Sequence, residues 1–103
     1  MSKFENVSVE TKANIYFDGN VTSHTIIMSD GSTKTLGVML PGEYRFNTAA
    51  AEIMDMNSGE FEVKHKGSDT FEKLQTPCSF EVDENSYFDI KVNTITDYCC
   101  SYK

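Results

Sequence analysis

The sequence predicts an all-β domain, a sandwich or barrel of short strands. Turn-forming residues recur at short intervals, in Asp18–Asn20, Ser29–Ser32, Pro41–Gly42, Asn57–Gly59, Lys66–Asp69, Thr76–Pro77 and Asp83–Ser86. The runs between these turns are rich in Val, Ile, Thr, Tyr and Phe and alternate in polarity, which is typical of strands. No run carries a convincing helical stripe, so helix-rich folds are disfavoured.

One domain accounts for the whole chain. Its 103 residues can bury a core without disulfide or metal support. Residues 1–13 carry little apolar surface, and we expect a flexible arm or an added edge strand there. Residues 14–103 are expected to form the β-barrel domain.

Charge and cysteine content restrict the partners and the compartment. The formal net charge of −7 opposes binding to a phosphate backbone, so nucleic acid is not expected as a partner. Two of the three cysteines, Cys99 and Cys100, are adjacent, which disulfide geometry disfavours. We expect a reducing, cytoplasmic setting. The chain shows no signal-like segment and no apolar run of membrane-spanning length.

Strand faces can be assigned run by run from the period of two. Leu36, Val38 and Leu40 share one face. Phe61 and Val63 share another, opposite Glu60, Glu62 and Lys64.

The segment from Asn47 to Met56 has two interpretations. Its Ala, Glu and Met residues favour a short helical turn capped by Asn47 or Thr48. An extended interpretation continues the face of Tyr44 through Thr48 to Glu52, beside two methionines. Glu52 is then an inward carboxylate whose pKa burial would raise. The alternative places Glu52 on a solvated loop.

Three further residues are candidates for a pocket. Ser86 can present a hydroxyl at a strand end, or act as a turn residue that bonds its own backbone. Tyr98 and Tyr102 share a face of the last run, and each can contact a ligand or serve core packing. His24 and His65 lack partners at metal-ligand spacing, and the cysteines lack a neighbouring base, so neither metal nor thiol chemistry is indicated.

Four segments in order resemble the pyrimidine/purine nucleoside phosphorylase family of small single-domain cupins. They are "NIYFDGNV", "GVMLPGEYRFNTAAAEIMDMNSGEFEV", "SFEVDENSYFDIKV" and "TDYCCSYK", and the resemblance runs from Asn14 to the C-terminus. The glycines and Glu52 of the second segment keep the frame of the first cupin motif. Thr48, Ala50 and Phe88 stand where metal-binding cupins have histidines.

The resemblance implies a cupin-type jelly-roll β-barrel that forms a homodimer and uses no metal or other cofactor. It also implies cleavage of purine and pyrimidine nucleosides by inorganic phosphate, giving free base and pentose 1-phosphate. The sequence departs from the family at Asp83 and Glu84, where a proline and a small residue are expected, and at Asn20, where a lysine is common.

These implications assign hypothetical roles. Glu52 would hold the ribose hydroxyls or stabilise positive charge on the sugar. Thr48 and Ser86 would donate hydroxyls to sugar or phosphate. Arg45 and Lys91 face outward, so either they bind phosphate at a dimer interface, or Lys34, the first choice, binds it together with backbone N–H groups. The apolar floor for the base would come from Tyr44, Phe88, Tyr98 or Tyr102.

Two other functions stay open at this point. The same barrel can be a non-catalytic module that holds a nucleoside or small sugar. A metal-dependent cupin oxygenase is disfavoured by the missing histidines.

Overall fold

The structure, a computed structural model, describes residues 3–103 and confirms the all-β prediction. Its strands are β1 (Ser8–Val9), β2 (Asn14–Tyr16), β3 (Val21–Ile27), β4 (Thr33–Met39), β5 (Gly42–Asn47), β6 (Glu52–Ser58), β7 (Glu60–His65), β8 (Glu72–Gln75), β9 (Cys78–Val82), β10 (Tyr87–Val92) and β11 (Thr96–Tyr102). Within residues 3–103, the single helical element is a short 3₁₀ turn at Phe17–Gly19. No helix in this range is long and apolar enough to span a bilayer.

The strands form two antiparallel sheets. A 7-stranded sheet has the order β1-β3-β4-β11-β6-β9, with β2 also paired to β3, and a 4-stranded sheet has the order β5-β10-β7-β8. From β4 onward the chain repeatedly crosses from one sheet to the other, as expected for a jelly roll.

The core lies between the inner faces of the two sheets. Strands β6 and β11 contribute Met54, Met56 and Tyr98, while β7 and β10 contribute the side chains of Phe61, Val63, Phe88, Ile90 and Val92. Phe80 packs edge-on against Phe88, with ring centroids 5.4 Å apart. This apolar layer fixes the distance between the two sheets. That distance determines the space that remains between them at the end of the barrel where the interior side chains are polar.

Strand β4 turns Thr35, Gly37 and Met39 toward the interior. Met39 is fully buried, whereas Leu36 is 41% exposed on the outer face. Gly37 sits so close to β3 that a Cβ atom there would overlap the Thr22 carbonyl oxygen and lie 2.8 Å from the Cβ of Ser23. The close approach of β3 and β4 therefore requires glycine at this position.

The chain breaks its extended path between Asn47 and Glu52. No helix forms there, so the helical interpretation is wrong. The turn moves the chain from the 4-stranded sheet to the 7-stranded sheet, where β6 starts at Glu52. Glu52 lines the barrel interior because it shares the inner face of β6 with Met54 and Met56, not because β5 continues.

The N-terminal segment lies along the edge of the larger sheet. Ser8 pairs with Ile27 and Val9 with Ile26. Residues 1–2 of the predicted arm lie outside the described residues.

Candidate functional site

A cavity of about 260 Å³ lies between the two sheets at one end of the barrel. It is lined by Tyr16, Ser23, Thr35, Phe46, Asn47, Glu52, Met54, Phe88, Tyr98, Cys100 and Tyr102. We call it the inner cavity. Its volume falls just below the roughly 300 to 1,000 Å³ that hold drug-sized ligands, so it suits a small molecule.

Glu52 is the single carboxylate among the described lining residues. As the first residue of β6, it is paired with Tyr102 on one side and Val82 on the other. Burial raises the pKa of Glu52 above its ordinary value, and the neighbouring Cys100 thiol offsets part of the rise. No lysine or arginine lines the inner cavity in the described part of the chain, so the carboxylate has no cationic partner there. It is free to accept hydrogen bonds from a ligand.

The central strand β11 presents three neutral donors beside this carboxylate. Tyr98, Cys100 and Tyr102 alternate along its inner face. Burial raises the pKa of each to about 12, and for Cys100 the charge on Glu52 adds to the rise. All three groups therefore keep their protons near neutral pH.

Hydroxyl groups of neighbouring strands lie near the two phenols. Burial is the larger influence on the pKa of each phenol, and Ser23 lowers that of Tyr98 while Thr35 lowers that of Tyr102. The Asn14 side-chain amide donates to the hydroxyl of Ser23 at 3.2 Å and to that of Thr25 at 3.2 Å. Residues from β2, β3 and β4 thus surround the donors of β11.

Phe88 and Tyr44 differ in their relation to the inner cavity. Phe88 is fully buried and stacks on Phe46, with ring centroids 5.4 Å apart, so it forms part of the cavity floor. Tyr44 does not line the cavity, and its hydroxyl donates to the Leu40 carbonyl at 2.6 Å. The Tyr44 ring instead packs against the rings of Phe17 and Phe46.

Thr48 and Ser86 lie beside each other but outside the cavity lining. The Thr48 hydroxyl donates to the Asp83 carbonyl at 2.6 Å and accepts from the Ser86 amide at 2.9 Å. The Thr48 amide donates to the Ser86 carbonyl at 2.9 Å. The Thr48 hydroxyl thus joins two loops. The hypothesis drawn from the sequence instead assigned this hydroxyl to substrate binding.

Replacing Thr48 with valine should therefore lower stability. The near-isosteric change removes both hydroxyl bonds and leaves the Ser86 amide unpaired, at a cost of about 1–3 kcal/mol. Chemical denaturation measures the loss, and Thr33→Val on the exposed start of β4 is the matched control. Equal stability of the two variants would contradict this role for Thr48.

Lys34 lies on the opposite face of β4 from the inner cavity. Its ammonium donates to the Ser101 hydroxyl at 2.8 Å. It lines an outer groove of about 770 Å³, between the 7-stranded sheet and the N-terminal segment, together with Leu36 and Cys99. A phosphate held by Lys34 would be separated from Glu52 by the sheet.

Several lining residues were not singled out from the sequence, among them Tyr16, Asn47, Ser23, Thr35 and Cys100. For Tyr16, the one available signal was that it shares a strand face with the polar Asn14 in the short run before Phe17. Ser23 and Thr35 had none, because hydroxyl residues on strands are common on solvent-facing surfaces.

The described residues contain no cluster of three or more His, Cys, Asp or Glu side chains able to hold a metal ion. His24 is exposed, and His65 packs edge-on against Phe80 at 5.6 Å between ring centroids. Phe88, at a position where metal-binding cupins have histidine, contributes an aromatic ring to the cavity floor.

The family model for pyrimidine/purine nucleoside phosphorylase matches residues 11–102. This chain belongs to the pyrimidine/purine nucleoside phosphorylase family. Curated relatives of that name include one from Sulfurimonas denitrificans, 59% identical over 102 residues, which cover 99% of this chain and 98% of the relative. Another, from Geotalea daltonii, is 57% identical over 102 residues, with 99% and 98% coverage.

Solved structures place the family fold among the cupins. A protein of unknown function from Acinetobacter sp. ADP1 superposes with a TM-score of 0.95 at 40% identity, covering 98% of each chain. A Schizosaccharomyces pombe cupin domain superposes with a TM-score of 0.62 at 15% identity, covering 87% of this chain and 69% of the other. The cupin-type fold implied by the resemblance is confirmed.

Proposed function

We propose that this protein cleaves purine and pyrimidine nucleosides with inorganic phosphate in the inner cavity, releasing free base and pentose 1-phosphate. The observation that carries the proposal is an inward carboxylate, Glu52, which has no cationic partner among the described lining residues and lies beside neutral donors and an aromatic floor. Family membership supports the reaction class, and the cavity supplies a location for it.

The reaction breaks the bond between the anomeric carbon and the base nitrogen. A phosphate oxygen forms a bond to that carbon on the face opposite the departing base, and the proton carried by hydrogen phosphate is transferred to the base nitrogen. Positive charge develops on the sugar in the transition state. The Glu52 carboxylate stabilises that charge or orients the ribose hydroxyls, and no lysine or arginine among the described lining residues neutralises it.

No lysine or arginine among the described lining residues is available to bind phosphate in the inner cavity. The donors available are the phenol of Tyr98, the Asn47 amide and the Thr35 hydroxyl. Hydrogen-bond donors in a partly dry site can bind an anion through several bonds at once. We assign phosphate to these donors, because Lys34 lies on the opposite face of the sheet from the inner cavity.

A non-catalytic nucleoside-binding module is the second candidate. The lack of a cation among the described lining residues favours it, because a phosphorylase needs more anion binding than a simple binder. Purified protein incubated with inosine or uridine, with and without phosphate, distinguishes the two. Phosphate-dependent release of base supports the enzyme, and nucleoside binding without release supports the module.

The pH profile is expected to report Glu52. Because burial raises its pKa, the carboxylate loses its charge at a pH above the ordinary value of 4.5. The kcat/KM for nucleoside at saturating phosphate should therefore fall on the acid side, with its midpoint above 4.5. The residual activity of Glu52→Gln should lack this fall. If wild type and Glu52→Gln showed the same fall in kcat/KM at acid pH, the fall would report titration of phosphate and not of Glu52.

We propose a homodimer in the cytoplasm as the assembly and compartment. The outer groove exposes the apolar side chains of Phe4, Val9 and Leu36, which a second copy can cover. Cys78, Cys99 and Cys100 are free thiols, as a reducing compartment permits. Light scattering on the eluting protein distinguishes monomer from dimer.

A further inference from the structure

Tyr16 stands at the mouth of the inner cavity with its ring accessible. It ends β2, and its inward neighbour on that strand, Asn14, bonds to Ser23 and Thr25, while Ile15 points outward and is 66% exposed. The Tyr16 side chain lines the inner cavity and is 47% exposed. It is therefore shared between the cavity and solvent.

Tyr102 is the last residue of β11, and it reaches the same cavity from the opposite end of the sheet. It also lines the inner cavity and is 47% exposed, whereas Tyr98, deeper in the barrel, is 4% exposed. Among the aromatic contacts of the described residues, neither the Tyr16 ring nor the Tyr102 ring takes part. Each ring has a face available to a ligand.

The Tyr16 phenol lies close to those of the other two tyrosines. All three side chains line the inner cavity, whose volume is about 260 Å³. The three phenols thus converge from β2 and β11, two strands that are not paired with each other.

A left-handed turn fixes the end of β2. Phe17 and Asp18 have φ of 52° and 56°, a region that non-glycine residues seldom occupy. The Phe17 ring packs against Tyr44 at 4.9 Å and Phe46 at 5.4 Å between centroids. Packing holds the unfavourable backbone in place, and backbone strain of this kind is concentrated at ligand sites.

We propose that Tyr16 and Tyr102 form a pair of aromatic walls that hold the base of the nucleoside at the cavity mouth, with the pentose directed inward to Glu52. This assignment deepens the proposed function and rests on it. Aromatic walls contact the π-face of a base and do not read its donor pattern, so purines and pyrimidines are both accepted.

Steady-state kinetics of Tyr16→Ala and Tyr16→Phe test the proposal, with Ile15→Ala on the outward face of the same strand as the control. Tyr16→Ala should raise the KM for inosine and for uridine by roughly 5- to 150-fold, the loss expected for one aromatic stacking contact. Its KM for phosphate should not change. Tyr16→Phe keeps the ring and should stay near wild type, as should Ile15→Ala.

Three outcomes would overturn the pair. They are an unchanged nucleoside KM in Tyr16→Ala, a rise in the phosphate KM alone, and a Tyr16→Phe variant as impaired as Tyr16→Ala, which would mean that the hydroxyl acts and not the ring. Failure of the proposed function is distinguishable, because wild-type protein would then release no base. In that case, calorimetry measures the binding of inosine and uridine to wild type and to the same variants. Equal affinity of wild type and Tyr16→Ala, or no binding to wild type, overturns the assignment.

Discussion

Glu52→Gln is expected to reduce phosphorolysis by roughly 10²- to 10³-fold, because it removes the charge that stabilises the sugar in the transition state. Glutamine keeps the size of the side chain and can still accept a hydrogen bond at the start of β6. The loss should appear in kcat more than in the nucleoside KM, since the charge matters most in the transition state. Initial rates of base release with inosine and uridine measure it.

The same substitution should make the protein more stable at neutral pH. Because burial raises the pKa of Glu52, folding favours the protonated form. The free energy of unfolding is then highest below the unfolded-state pKa and falls as pH rises through the raised pKa of the folded state. A glutamine at this position does not titrate, so the free energy of unfolding of the variant lacks this fall. The stability of the variant relative to wild type should therefore increase from acid to neutral pH.

Glu60→Gln is the control for both readouts, because Glu60 is exposed on the other sheet. It should change neither the rate nor the pH dependence of melting. A folded Glu52→Gln protein with wild-type turnover would remove Glu52 from the mechanism. A variant that melts lower than wild type at neutral pH would show that the carboxylate supports the fold.

Gly37→Ala is expected to be the most disruptive of the small substitutions, because an added Cβ would meet backbone and not a movable side chain. It would overlap the Thr22 carbonyl oxygen and lie 2.8 Å from the Ser23 Cα, which forces β3 and β4 apart. We expect a loss on the order of 3 kcal/mol and a melting temperature lower by roughly 10 to 20 °C. Thermal melting followed by circular dichroism measures the change.

The displacement should also affect the site, because Gly37 is paired with Ser23 on one side and with Tyr98 on the other, and both line the inner cavity. Leu36→Ala, one residue earlier on the exposed face of the strand, should have a much smaller effect on melting. If Gly37→Ala melts with the control, β3 and β4 do not approach each other as closely as the structure has them.

The strands were predictable because turn residues separate them and alternation marks their faces. Phe61 and Val63 face the core of β7, as parity indicates. Alternation alone does not tell which face of a strand is inner. In β4 the more apolar face, with Leu36, is the outer one, because glycine and threonine are needed where β3 approaches and where the cavity lies.

The site was partly predictable for a similar reason. Tyr98 and Tyr102 share the inner face of β11, and both line the cavity. Thr48 lies just before the crossing to the other sheet, and there its hydroxyl bonds two loops. Lys34 could not be placed from the sequence, because its face depends on which side of β4 the second sheet covers.

Tyr16 shows what sequence patterns omit. A single tyrosine on a strand of three residues has no periodic signal, and only the pairing of β2 with β3 brings it to the cavity mouth. The grouping of three phenols in one cavity, whose lining holds no lysine or arginine within residues 3–103, is likewise a property of the folded barrel.

The most direct test of the account is a crystal structure of the Glu52→Gln protein with a nucleoside and phosphate, since slow turnover preserves the substrate. The account predicts the nucleoside in the inner cavity, with its base between Tyr16 and Tyr102 and its pentose within hydrogen-bonding distance of residue 52. A nucleoside bound in the outer groove beside Lys34, with the inner cavity free of it, would contradict the account.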